Sequence, residues 1–412
     1  MLSRRQFLTL SGGAAVTGAA AWAGLVRDRT SSSGTSAPSS SSGHATGRVL
    51  VVVQMTGGND SLNTLIPHDG RYHDLRPTLG ITDDQLVALD GETAVALHPA
   101  LEPLLPLWRA HQLAIVPGVG FAADSRSHFE SLASWWTASP EHRQTTGWAG
   151  RWLDATGVAK ENPLAAIALG GAAVPALRAT SSQSTAINDL ATFRLVAPRG
   201  LDGRALANAF EATATPIASQ PLAAQAQSAV TAALRAVDVL SSATTSGADA
   251  DATAEGTITQ GLATAAELIA MNLGTRVFFV SGTGFDTHAN EDTTHHNLLA
   301  DLGGGIASFF EALHKSGHAD EVLLLTTSEF GRRAQQNGSD GTDHGLGGVH
   351  FLAGPSVNGG VHGAMDLGHL ADGDLAVSTD TRDLYAAALD WLGGPSSDLL
   401  DNHHDTLGLV TI

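Results

Sequence analysis

Four carboxylates and two histidines stand where apolar runs of this 412-residue chain stop, and these are the residue types that hold divalent cations or move protons. "GGND" (57–60) ends one run with Asn59 and Asp60, and "GFDTHAN" (284–290) follows another with Asp286 and His288 one residue apart. "SEF" (328–330) ends a third with Glu329, and the glycine-rich loop after it carries Asp343 and His344. Each has an ordinary explanation as a cap, a solvated strand end or a polar turn. Together they form a set of oxygen and imidazole donors without thiolates, which suits zinc, manganese or calcium.

For these residues to meet, the runs before them must be neighbouring strands that point the same way. "RVLVVVQM" (48–55), "TRVFFVSG" (275–282) and "EVLLLTTSEF" (321–330) are apolar and β-branched almost throughout, as strands buried on both faces of a parallel sheet are. Ligands bind such sheets beyond the carboxyl ends of the strands. "LAIVPGVG" (113–120) and "VHFLAG" (349–354) read as further strands. Helices are expected over 97–111, from about Ser127, over about 292–315 with a kink at Gly303-Gly304-Gly305, and over 381–391. The alternation predicts an α/β fold: three αβα layers around a mostly parallel, doubly wound sheet. The Ala-rich region of about 160–260, with helical stretches near 203–212 and 220–241 and an interruption at 242–256, is expected to lie outside the sheet as a helical insertion or cap.

Composition limits the partners. Hydrophobic residues make up 43% and charged residues 15%, enough for a large core, and 22 basic against 41 acidic residues give −19, which disfavours nucleic acid and anionic membrane surfaces. With no cysteine, disulfides, thiolate ligands, a cysteine nucleophile and lipid attachment at an N-terminal cysteine are excluded. The N-terminus has Arg4-Arg5 before Phe7-Leu8 and a weakly apolar Gly/Ala stretch, the pattern of a twin-arginine export signal over 1–26. A Ser/Gly-rich linker over 27–47 separates it from a single domain at 48–412. The expected partners are the twin-arginine translocase during export, then small ligands or cations. The expected location is the periplasm, envelope or exterior, with no stable membrane insertion once the signal is cleaved.

"VVVQMTGGNDSLNTLIP…Y…RP", "DSRSHFES", "TGWAGRWL", "GFDTHAN", "TSEFGRR" and "DHGLGG" occur in an order that resembles an exported bacterial family known as domain of unknown function fifteen-hundred-and-one. That family looks like a branch of the alkaline phosphatase and sulfatase superfamily. The resemblance implies a metal centre at the strand ends and a Ser or Thr nucleophile at a helix start, attacking a phosphate or sulfate ester. By the same resemblance Asp60, Asp286, His288, Glu329 and His344 would be ligands. Formylglycine made from cysteine is impossible here, and Ser328-Glu329-Phe330 stands where the superfamily places an Asp-His pair.

Ser125 and Ser127 both qualify as nucleophile, although Ser127 with Glu130 also fits a capping box. Arg126 and Arg332 are candidates for gripping the anion, or else surface ion pairs. His98, His111, His295, His296, His403 and His404 have no partner motif. A dinucleotide site at "GVGFAA" (118–123) is opposed by Pro117 and the missing acidic partner, and no G-x-S-x-G elbow exists. Two functions follow: an exported metal-dependent hydrolase of phosphate or sulfate esters, or a non-catalytic envelope binding protein on the same fold.

Overall fold

The computed structural model describes residues 47–170, 173–188, 221–243 and 258–412, with a few isolated positions between 190 and 212. The expected signal, most of the linker, the 203–212 stretch as a whole and most of the 242–256 interruption lie outside the described residues. The chain divides into two compact units, one of 47–186 with 254–412 and the other of 1–46 with 187–253. In the second unit the described element is the helix Pro221–Ala243, where a helix was expected over 220–241.

Twelve strands are described: β1 (Val49–Met55), β2 (Leu65–Pro67), β3 (Val87–Ala88), β4 (Val95–Leu97), β5 (Leu113–Gly120), β6 (Ala166–Leu169), β7 (Thr185–Ile187), β8 (Val277–Gly282), β9 (Val322–Thr327), β10 (Gly348–Ala353), β11 (Gly360–Val361) and β12 (Thr379–Asp380). The main sheet runs β11-β5-β10-β9-β1-β8-β6-β7, with β12 beside β5, and β2-β4-β3 form a small second sheet. β1 pairs in parallel with both neighbours, so that Val52 faces Phe279 on one side and Leu325 on the other. The three runs whose ends carry the polar residues are therefore adjacent and point one way. β10 is antiparallel to both β9 and β5, which returns β5 to the common direction and brings its carboxyl end to the same edge.

Side chains alternate across the sheet, as a strand requires. Leu50, Val52, Phe279, Leu323 and Leu325 share a core with Trp135, Trp148, Trp152, Leu384 and Leu389 from the helices His128–Thr137, Trp148–Thr156 and Thr381–Trp391. On the other face the helix Ile258–Ala270 lies against β8, where a Cβ on Gly261 would come 2.6 Å from Val280. Among the described residues no helix is long and apolar enough to cross a membrane.

Several elements differ from expectation. Ala166–Leu169 falls inside the presumed insertion, yet it is a wholly buried strand parallel to β8. Its alanines read as helical, but a short apolar run bounded by turns is equally a core strand, and burial decides. The 97–111 helix is instead the end of β4, a 3₁₀ turn Pro99–Leu104 and a short helix Leu105–Arg109. Pro99, Pro103 and Pro106 withhold the N–H groups that one continuous α-helix would need. By contrast Glu291–Ser316 is a single helix through its three glycines. Gly303 and Gly305 admit close neighbours there, since a Cβ would stand 3.2 Å from the Ala100 carbonyl and 3.0 Å from Thr259 Cα respectively.

Candidate metal centre

The turn after β8 is tight: Thr287 N–H donates to Phe285 O and His288 N–H to Asp286 O, which throws both functional side chains to one side above the buried Phe285. β1 can nest against this turn because it ends in Gly57-Gly58. Both have positive φ, and a Cβ on Gly57 would lie 2.3 Å from the Asp286 nitrogen. After β9, Ser328 Oγ–H donates to Met55 O and accepts from Asn59 N–H, stitching the ends of β1 and β9 together. The chain then doubles back, pairing Arg332 with His344 across a single antiparallel bridge. β5 leads through 121–127 into the 128–137 helix, whose first residue is His128.

Four side chains converge at this edge. His288 Nε2 is 2.9 Å from His344 Nε2, and each is 3.1 Å from Asp286 Oδ1. His128 Nε2 lies 3.4 Å from Asp286 Oδ2. His128, Asp286 and His344 each offer a ligand atom, all within 4.8 Å of one another. Each imidazole is anchored through its other nitrogen. His344 Nδ1–H donates to the Arg126 carbonyl at 2.9 Å, His288 Nδ1 meets Asp343 Oδ1 at 3.1 Å, and His128 Nδ1 meets Glu329 Oε1 at 2.9 Å. Oxygen acceptors on Nδ1 place the proton there and turn the Nε2 lone pairs toward a common point. Burial favours the neutral form of His344 and lowers its pKa. Burial works against ionisation of Asp286, but the hydrogen bond from Arg332 prevails and holds its carboxyl at about 2.

Imidazole lone pairs and a carboxylate oxygen at such spacings repel unless a cation stands among them. One proton serves a single pair, whereas a divalent ion serves several donors at once. The donor types fit zinc, which takes imidazole nitrogen and carboxylate oxygen at about 2.0 to 2.2 Å, and the compact set for it is His128, Asp286 and His344 with His288 beside them. The centre is also reachable, since the Asp286 and His288 side chains are 46% and 44% exposed.

The other expected ligands are engaged elsewhere. Asp60 is fully buried and takes both guanidinium arms of Arg76, at 2.6 and 2.9 Å. Glu329 sits behind the centre, accepting from Gly57 N–H at 2.9 Å while it orients His128. Asp343 stands behind His288 and also accepts from Asn337 at 3.2 Å. Arg332 is turned inward, away from solvent. It is fully buried, and its guanidinium braces the carbonyls of Gly57, Gly58, Phe285 and Thr342 as well as Asp286. Arg126 is spent on Asp374 at 2.6 Å. Ser127 is the N-cap residue of its helix, but its hydroxyl makes no cap bond, so the capping box does not form. Ser125 is exposed, and its Oγ accepts weakly from Ser127 N–H at 3.3 Å. His128 escaped the sequence reading. It stands inside "DSRSHFES", where attention to the serines hid a histidine at a helix start.

Residues 121–408 match the model of the family described as Protein of unknown function (DUF1501). The chain belongs to this family. No curated protein matches it. Structures similar to this family member include a protein in the alkaline phosphatase superfamily from Vibrio parahaemolyticus, at 8% identity and a TM-score of 0.41, over 90% of this chain and 71% of that one. Another is the C-terminal periplasmic domain of EptC from Escherichia coli in complex with Zn, at 9% identity and 0.40, over 83% and 82%. A third is a phosphonate monoester hydrolase from Silicibacter pomeroyi, at 13% identity and 0.38, over 87% and 75%.

Proposed function

We propose that the chain is an exported, metal-dependent hydrolase of phosphate or sulfate esters. The observation that carries this reading is the solvent-open meeting of three anchored imidazoles with Asp286, a donor set for zinc in preference to the oxygen-rich shells of calcium or manganese. A divalent ion bound there supplies a Lewis acid for an ester oxygen. The chain's own residues do the rest. Glu329 and the Arg126 carbonyl keep His128 and His344 in the tautomer that presents Nε2. Ser127, beside His128 and free of a capping bond, is the better placed of the two serines to attack an ester.

A second reading is supported by the two arginines. Arg332 is buried and Arg126 is held by Asp374, so no free guanidinium among the candidates meets an anion. That favours a protein that holds metal and binds an envelope glycan without turnover. Elemental analysis of the exported protein, followed by assays on aryl phosphate, phosphodiester and aryl sulfate esters, separates the two. Zinc with turnover supports the hydrolase, zinc without turnover the binder, and absence of metal defeats both. Export itself rests on Arg4-Arg5 and the translocase that reads them. Changing both to Lys should leave the protein in the cytoplasm, and normal export of that variant would remove the claim.

A further inference from the structure

Phe129 follows His128 in the first turn of the 128–137 helix with 89% of its surface open. Among the described residues every other large apolar side chain except Ile412 is at least partly covered. A single exposed phenylalanine is ordinary on a protein surface, but its place here is not. The inward face of the helix is taken by Ser131, Ser134 and Trp135, which leaves Phe129 pointing outward. The backbone just before it is pinned to the metal-ligand cluster at two points. Arg126, at φ 59°, is held by Asp124, which accepts its N–H at 2.7 Å, and by Asp374, while its carbonyl receives His344. His128 is tied to Glu329. The Phe129 Cα, about 3.8 Å from that of His128, therefore keeps a fixed position relative to the centre. The surrounding rim is polar, with Ser125 and Glu130 exposed.

We infer that Phe129 is a platform for the organic part of an anionic ester: a ring with a flat apolar face stacks on it while the anionic head lies at the imidazole–Asp286 cluster. This rests on the ester reading above and adds a substrate class, ring-bearing phosphate or sulfate esters. Aryl groups and the C–H face of a sugar share the chemistry that a phenyl ring recognises.

The test is calorimetric binding of phenyl, glucosyl and methyl esters of phosphate and of sulfate to the zinc-loaded protein, as wild type, Phe129→Ala and Phe129→Trp. Wild type should bind a ring ester about tenfold more tightly than the methyl ester, a preference of the size that one aromatic stack provides. Phe129→Ala should abolish that preference without changing methyl-ester affinity, and Phe129→Trp should keep it. Preference for phenyl alone assigns an aryl group, and preference for the glucosyl ester assigns a sugar. The inference is overturned if no ester binds, if Phe129→Ala retains the preference, or if it weakens methyl and ring esters alike. Turnover is scored separately. Preference without hydrolysis sinks the hydrolase and leaves the platform, and hydrolysis with a preference indifferent to Phe129 does the reverse.

Discussion

Two clusters of carboxylate and imidazole lie at the carboxyl edge of the same sheet, and they differ in what their polar atoms face. The inner one, Asp60, Arg76, Glu291 and His295, is buried throughout. Asp60 is paired with Arg76, whose remaining donors reach the carbonyls of Ala334 and Arg333. His295 Nε2–H donates to Asn59 at 3.0 Å, and burial pushes its pKa down to about 4. Burial and the neighbouring Asp60 push Glu291 up to about 9, and Thr342 Oγ–H donates to it at 2.6 Å. In the outer cluster three imidazoles direct Nε2 at one carboxylate, and solvent reaches it. Residue type does not distinguish a brace from a binding site here. What distinguishes them is whether the groups are paired inside the protein, as Asp60 is with Arg76 and His295 with Asn59, or open to solvent.

If the inner cluster is a brace, breaking it should damage folding and leave the metal alone. Arg76→Met would strand Asp60 as a buried, unpaired charge, for which about 3–5 kcal/mol of stability is lost. Chemical denaturation of the metal-free protein measures this, and a loss below about 1 kcal/mol would show that the pair is not a brace. Glu291 adds a pH dependence. Unfolded, its carboxyl ionises near 4.5, while in the folded protein it keeps its proton to about 9. Between those values the folded state binds the extra proton, so this contribution, whole below pH 4.5, declines as pH rises toward 9, at up to about 1.4 kcal/mol per unit. Glu291→Gln keeps an acceptor for Thr342 and removes the titration. Its stability between pH 6 and 8 should fall less steeply than that of wild type, and parallel curves would refute the assignment.

The outer cluster should respond the other way. Replacing His128, Asp286 or His344 with Ala should lower zinc affinity by about 100-fold or more, beyond what loss of a supporting partner costs. The zinc-dependent rise in Tm should vanish with it, because zinc stabilises only the state that binds it, while metal-free stability stays near wild type. Full zinc retention in all three variants would dismiss the centre.

These contrasts also explain what could be read before the fold was known. The three core strands and the convergence of their ends were legible because double burial leaves unbroken apolar runs, as at Val49–Val53 and Val322–Leu325. Asp286 and His288 were legible because they stand in a turn where a strand stops, and His344 because it sits beside Asp343 in the glycine-rich loop between two strands. Asp60 looked equivalent to them, since nothing in "GGND" reveals that Arg76, sixteen residues on, would claim both of its oxygens. His128 stayed hidden for the opposite reason. Its helix begins eight residues after β5, so it does not mark a strand end, and only the fold brings it to Glu329 and Asp286. The buried strand role of Ala166–Leu169 was masked by an alanine-rich composition that helices and core strands share.

The smallest effects should come from residues that touch the ligands and not the metal, and they probe the boundary between the two clusters. Glu329 belongs to both by position: it is buried like the inner carboxylates, yet it serves an outer imidazole. Glu329→Gln keeps an oxygen that accepts from Gly57 N–H and His128 Nδ1–H and removes only the charge. A weakening of zinc binding by roughly 10- to 100-fold is expected, the range for carboxylates that support a ligating histidine. Asp343 supports His288 in the same way, but its side chain is 60% exposed, where water screens the charge and can replace the hydrogen bond. Asp343→Asn should therefore cost only a few-fold. The ordering is the informative part, measured by zinc titration against a competing chelator at one pH. If Asp343→Asn costs as much as Glu329→Gln, burial does not set the strength of these supports. If Glu329→Gln costs as much as His128→Ala, Glu329 is itself a ligand once metal is bound, and its assignment as a support is wrong.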